Sequence, residues 1–144
     1  MFAFFNDSKF PKVYVTFNSN INDESWNKFT EKWLSYDKKK IPYTFIFNTD
    51  GLGISLITYT QKIAMFIRGL IKRKQKENNV FLLRSIIVCK NAYQKHLLEM
   101  VFYIQSPVSP VYIISDENDV EQLYNNVIRH PQFYGSGVSA YFPK

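Results

Sequence analysis

Apolar positions along this chain fall into short runs whose period changes repeatedly between strand-like and helix-like. Two β-type runs, Phe2 to Phe5 and Lys12 to Asn18, flank the turn-forming stretch Asn6-Asp7-Ser8-Lys9-Phe10-Pro11, which predicts an antiparallel hairpin. Asn22 or Asp23 then caps a helix in which Trp26, Phe29, Trp33 and Tyr36 recur at three- and four-residue spacing, gathering four aromatics on one core-facing stripe. Lys38-Lys39-Lys40 marks its end, where cations suit the negative pole of the helix dipole. Tyr43 to Phe47 is apolar without alternation, as in a central strand covered on both faces, and it stops at Asn48-Thr49-Asp50-Gly51. A long helix follows from about Ile54 to Lys76, with Leu56, Ile63, Phe66, Ile67, Leu70 and Ile71 as its apolar stripe and Gly69 as an unfavourable interior residue.

The same plan then repeats. A strand over Leu83 to Cys89 precedes a helix from Asn91 whose stripe is Tyr93, Leu97, Met100, Val101 and Ile104. A strand over Val111 to Ile114 precedes a cap at Ser115 or Asp116 and a helix carrying Val120, Leu123, Val127 and Ile128. Alternating strands and helices call for right-handed crossovers. The expected fold is therefore a single α/β domain with a mixed, mostly parallel central sheet, made of the opening hairpin and three further strands, with about four helices. That domain spans 1–129. Residues 130–144 form an aromatic tail that loses periodicity but keeps Phe133, Tyr134, Tyr141 and Phe142, and it either packs back on the domain or serves as an arm for a partner.

Composition narrows the class. A chain of 144 residues has the size of one domain with one core. With 46% apolar, 17% aromatic and 21% charged residues it is neither disordered nor fibrous. The single cysteine, Cys89, excludes an internal disulfide, and its place in Ser85-Ile86-Ile87-Val88-Cys89 predicts a buried thiol in a reducing, cytoplasmic setting. The apolar N-terminus lacks a basic segment, and no apolar stretch approaches the roughly 20 residues that cross a bilayer, so neither export nor a membrane span is expected. Heavy use of Asn, Ile, Lys, Tyr and Phe is the bias of an AT-rich coding genome, a viral one included.

Candidate chemistry is sparse. His96 and His130 share no local motif with a cysteine or carboxylate that would bind zinc, so no metal or other cofactor is expected. No G-x-S-x-G elbow or Walker A loop occurs; Gly51-Leu52-Gly53 supplies two glycines of a G-x-G-x-x-G fingerprint but has Leu56 where the third belongs, which a tight strand-to-helix turn explains. Asp116, Glu117, Asp119 and Glu121 are what a helix's first turn favours. Asn48 to Gly53 nonetheless lies where a parallel strand gives way to a helix, the edge at which open α/β sheets bind ligands, and Lys90 from the next strand end is the neighbour that would offset Asp50 at an anion site. Lys72-Arg73-Lys74-Gln75-Lys76 is the sharpest charge run, and a net charge of +6 suits contact with a phosphate polymer or an acidic protein.

The order of an opening hairpin, four helices and three further strands over about residues 1 to 128 resembles the STAS domain, the family of anti-anti-sigma factors. The family's D-S-S-G-L-G motif has its nearest match in Asn48-Thr49-Asp50-Gly51-Leu52-Gly53, with Asp50 where the family phosphorylates a serine; Thr49 and Ser55 are the remaining nearby hydroxyls. The resemblance implies a non-catalytic module that docks on another protein, or on a second copy, through this loop and the helix behind it. Thr49, Asp50, Gly51, Leu52 and Ser55 are then the contact residues, with Gln105 beside them. The Gln105 to Pro110 loop and the aromatic tail are further candidate contacts. The rival expectation is a nucleic-acid-associated protein that grips phosphates through Lys72, Arg73, Lys74, Lys76 and Lys90.

Overall fold

Backbone pairing orders the chain around one six-stranded sheet, seen in a computed structural model that describes residues 2–18, 21–52, 56–127 and 138–144, the side chains of 56–58 and 126–127 excepted. The elements are β1 (Ala3–Lys9), β2 (Lys12–Phe17), α1 (Asp23–Asp37), β3 (Tyr43–Asn48), α2 (Leu56–Glu77), β4 (Leu82–Val88), α3 (Ala92–Ile104), β5 (Val111–Ile114), a 3-10 turn over Glu117–Asp119, α4 (Val120–Val127) and β6 (Ser139–Tyr141). Strands lie in the order β1-β2-β3-β4-β5-β6. β1 is antiparallel to β2, β2 to β5 run parallel, and β6 is antiparallel to β5. The α/β architecture is as expected, with three differences. The parallel block has four strands because β2 pairs with β3. β1 runs on through Lys9, so the turn falls at Phe10-Pro11. Part of the tail forms β6, closing the far edge of the sheet.

Local sequence explains the helix starts. Asn22 accepts the Ser25 amide at 2.8 Å while Ser25 Oγ accepts the Asn22 amide at 2.8 Å, a reciprocal cap. Asn91 caps α3 by accepting the Tyr93 and Gln94 amides, and Asp116 caps the 3-10 turn that leads into α4. Lys38 stands at the C-cap of α1, and the last turn of that helix carries no basic residue. The exit of α1 is tied down by Asp37, whose Oδ1 accepts both the Tyr43 hydroxyl at 2.8 Å and the Phe81 amide at 2.9 Å.

Because the strand order never reverses, each right-handed crossover steps in the same direction and lands on the same side of the sheet. The packing agrees. Val13, Val15, Phe45, Phe47, Ile87 and Ile113 form one sheet face with Trp26, Phe29 and Tyr36 of α1, Ile67 and Leu70 of α2, and Leu98, Val101 and Phe102 of α3. The aromatic excess is spent here: Trp33 meets Phe45 at 4.7 Å and Phe66 at 5.1 Å between ring centroids. Ile46, Ile86, Val88, Tyr112 and Ile114 point to the second face, where Val120 and Leu123 of α4 pack on them. Cys89 is buried.

Candidate functional site

Four places carried expectations: the β3–α2 loop, the Gln105 to Pro110 loop, the basic end of α2, and the aromatic tail, whose Phe133 and Tyr134 lie outside the described residues. At the C-terminal edge of the parallel strands, the β3–α2 loop is turned inward. Thr49 is 3% exposed and its hydroxyl donates to the Val88 carbonyl at 2.9 Å, and Leu52 is also buried. Neither reaches a partner, and Thr49 is not an accessible phosphorylation site; a short polar residue here ties β3 to β4 instead. Gly51 is set by contact, since a Cβ would lie 1.7 Å from the Phe17 carbonyl oxygen. Ser55 lies outside the described residues. Asp50 remains exposed, with Lys90 Nζ at 3.9 Å from its carboxylate, a loose pair open to water. Among the described strands the order is unreversed, so this edge has no topological switch point.

Gln105 does not join Asp50. It caps the far end of α3, about 20 Å of helix away, and accepts a hydrogen bond from Arg68 Nε at 3.2 Å. The loop after it is packed inward as well, with Val108 and Ser109 buried, so it offers little contact surface.

The outer face of α3 is the unexpected feature. Tyr93, Met100 and Ile104, expected in the core, are 56%, 47% and 71% exposed, and Tyr103 beside them is 87% exposed. Val101 is buried as expected, and Leu98 and Phe102 are buried with it. From Leu97 to Ile104 the helix is apolar at every position but Glu99, so periodicity there does not select the inward side. The signal was present in Met100-Val101-Phe102-Tyr103-Ile104, a run too wide for one stripe. His96, Met100, Tyr103, Ile104 and Tyr141 border a groove of about 280 Å³. Its rim is fixed by the Tyr141 hydroxyl donating to Glu99 at 3.2 Å; burial first, then the Glu99 charge, push that phenol up to about 12.

The basic end of α2 projects from the opposite edge of the sheet. Lys72, Lys74 and Lys76 are exposed, while Arg73 is half-buried and borders a groove of about 720 Å³ with Lys38 and Lys40 from the end of α1. Glu31 and Asp37 share that groove. Lys90 is not part of this cluster, because α2 is about 33 Å long and Lys90 sits at its other end.

A polar group on the second face was missed altogether. Arg84 is 3% exposed within β4; its guanidinium carbon lies 4.4 Å from the Tyr124 ring centre, and among the described residues its Nε and Nη2 have no hydrogen-bond partner. Burial lowers its pKa. Lys12 Nζ lies 4.3 Å from the same ring and pairs with Glu121 at 2.9 Å, which raises the lysine and lowers the carboxyl. The lone arginine inside the apolar run Leu82-Leu83-Arg84-Ser85-Ile86-Ile87-Val88 was the sequence signal. Among the described residues, no three His, Cys, Asp or Glu side chains gather as metal ligands, and no helix is long and apolar enough to cross a membrane. Comparison of the chain with family models, curated proteins and solved structures gives no match.

Proposed function

We propose that this chain is a non-catalytic protein-interaction module, of the kind the STAS domains it resembles provide, and that it docks through the outer face of α3. One observation carries the reading: Tyr93, Met100, Tyr103 and Ile104 stand exposed on one side of a single helix. Large apolar side chains left exposed on one helix side mark association sites, and tyrosines contribute disproportionately to binding energy where a partner desolvates them. Tyr93 stands in the first turn of α3, three residues after Lys90, so the Asp50–Lys90 corner adds a charged rim to that end of the helix.

The test replaces Tyr103 and Ile104 together by serine. Tagged protein is recovered from its native extract after nuclease and high salt, and the purified chain is sedimented alone. The expected result is a stoichiometric companion, or a second copy, that the double variant loses by about 10- to 100-fold in affinity. Its thermal midpoint should stay put, because both side chains are exposed. A chain that sediments as one monomer and retains no companion, or a variant that keeps its companion, overturns the reading.

The convergence of Lys38, Lys40 and Arg73 beside Lys72, Lys74 and Lys76 favours a second reading, contact with phosphate groups of a nucleic acid. It predicts binding that falls steeply with salt and a slope that shrinks when Lys72 and Lys76 become glutamine. Salt-insensitive binding, or none, rejects it.

A further inference from the structure

Between the first sheet face and helices α1, α2 and α3 lies a cavity of about 120 Å³. It runs from Thr49 and Leu52 at one edge of the sheet to Val108 and Ser109 at the other, and Trp33, Phe66, Ile67, Leu98 and Phe102 form much of its wall. The surface presented to the interior is almost wholly carbon, and none of its lining residues is charged. A space of this kind is not suited to water, which needs two to four polar partners; an apolar cavity of about 150 Å³ stays dry and takes up benzene or xenon. Among the described residues, two that line the space carry a buried polar group without a hydrogen-bond partner: the indole N–H of Trp33 and the hydroxyl of Ser109, a residue 4% exposed. An unpartnered buried donor is costly, and a guest that supplies an acceptor relieves the cost.

We propose that this cavity is a binding site for a small, uncharged aromatic molecule of benzene size carrying a single hydroxyl, with phenol as its simplest representative. The size follows from the volume, the neutrality from the carbon wall, where a charge would be stranded, and the hydroxyl from Ser109 and Trp33. The assignment is independent of the docking face on α3, which lies on the other side of that helix.

The chain reports on this site by itself, because its two tryptophans, Trp26 and Trp33, both line the cavity. Benzene, phenol and benzoate are titrated into the purified full chain while tryptophan emission and the thermal midpoint are followed. Phenol should give a saturable emission change and raise the midpoint by about 4 °C at ten times its Kd. Benzene should bind more weakly, and benzoate should do neither. Ser109→Ala should weaken phenol several-fold and leave benzene unchanged. Leu98→Phe and Ile67→Phe, made separately to fill the space, should each weaken phenol at least ten-fold. The proposal is overturned by a wild-type chain with no saturable response to phenol or benzene, by an equal response to benzoate, or by undiminished phenol binding in a folded filling variant. Should both filling variants fail to fold, the wild-type titrations and Ser109→Ala decide the matter.

Discussion

Gly51 and Gly69 are the same residue doing opposite things. A Cβ on Gly51 would meet the Phe17 carbonyl oxygen at 1.7 Å, a backbone atom that cannot swing aside, whereas a Cβ on Gly69 has nothing within 4 Å. Gly51→Ala should therefore cost about 1–3 kcal/mol by forcing the β3–α2 loop off the end of β2. Gly69→Ala should stabilise α2 by roughly 1 kcal/mol, the helix-propensity difference. Urea midpoints of the two variants check this, and equal midpoints would show that the loop yields freely. A turn closes from Thr49 to Leu52, with Gly53 outside the described residues, and the motif reading of Gly51-Leu52-Gly53 did not see what constrains Gly51, because that comes from Phe17, a residue 34 positions earlier that periodicity does not connect to it. Thr49 and Leu52 show the same limit: a polar and an apolar loop residue looked like a contact surface and are both buried.

Elements with a single apolar stripe were legible. Trp26, Phe29 and Tyr36 of α1 are buried as their spacing requires, and Ile67 and Leu70 of α2 likewise. α3 was legible as a helix but not as a face, since its second half, Leu97 to Ile104, is apolar at every position but Glu99 and leaves the choice to the sheet it packs on. α4 raises a different question, because it covers the second sheet face with few apolar contacts and adds the Lys12–Glu121 pair. The Lys12 hydrogen bond holds the Glu121 carboxyl below its ordinary value of about 4.3. A carboxyl whose folded pKa is depressed stabilises the fold above the unfolded value and loses that contribution as pH falls through the folded one. Wild type should thus exceed Glu121→Gln in unfolding free energy, read from urea titrations at pH 6, by the small margin of an exposed pair, about 0.2–1 kcal/mol, and the gap should close below pH 4. A gap that persists at pH 3 would assign the effect to packing rather than charge.

Across the whole molecule, the βαβ rhythm and the parallel sheet were readable from the alternation of periods. The distribution of layers was not. It depends on strand order, and the order β1 to β6 without reversal puts α1, α2 and α3 on one side and leaves the other to α4. β6 was illegible for a related reason: Ser139–Tyr141 is too short to show a period and exists by pairing with β5. This lopsided construction predicts uneven stability. Tyr43 to Phe47 of β3 are buried throughout and flanked on both sides by parallel strands, whereas the eight-residue α4 docks through Val120 and Leu123 and an ion pair. Local opening is cheapest where the fewest apolar contacts must be broken. In native-state hydrogen exchange, amides of α4 should open about 100-fold more readily than those of β3 and β4. Glu121→Gln should widen that difference by speeding α4 alone. Equal protection of α4 and β3 would mean that the two faces unfold as one unit, and that the thin layer is held by more than the contacts through which it docks.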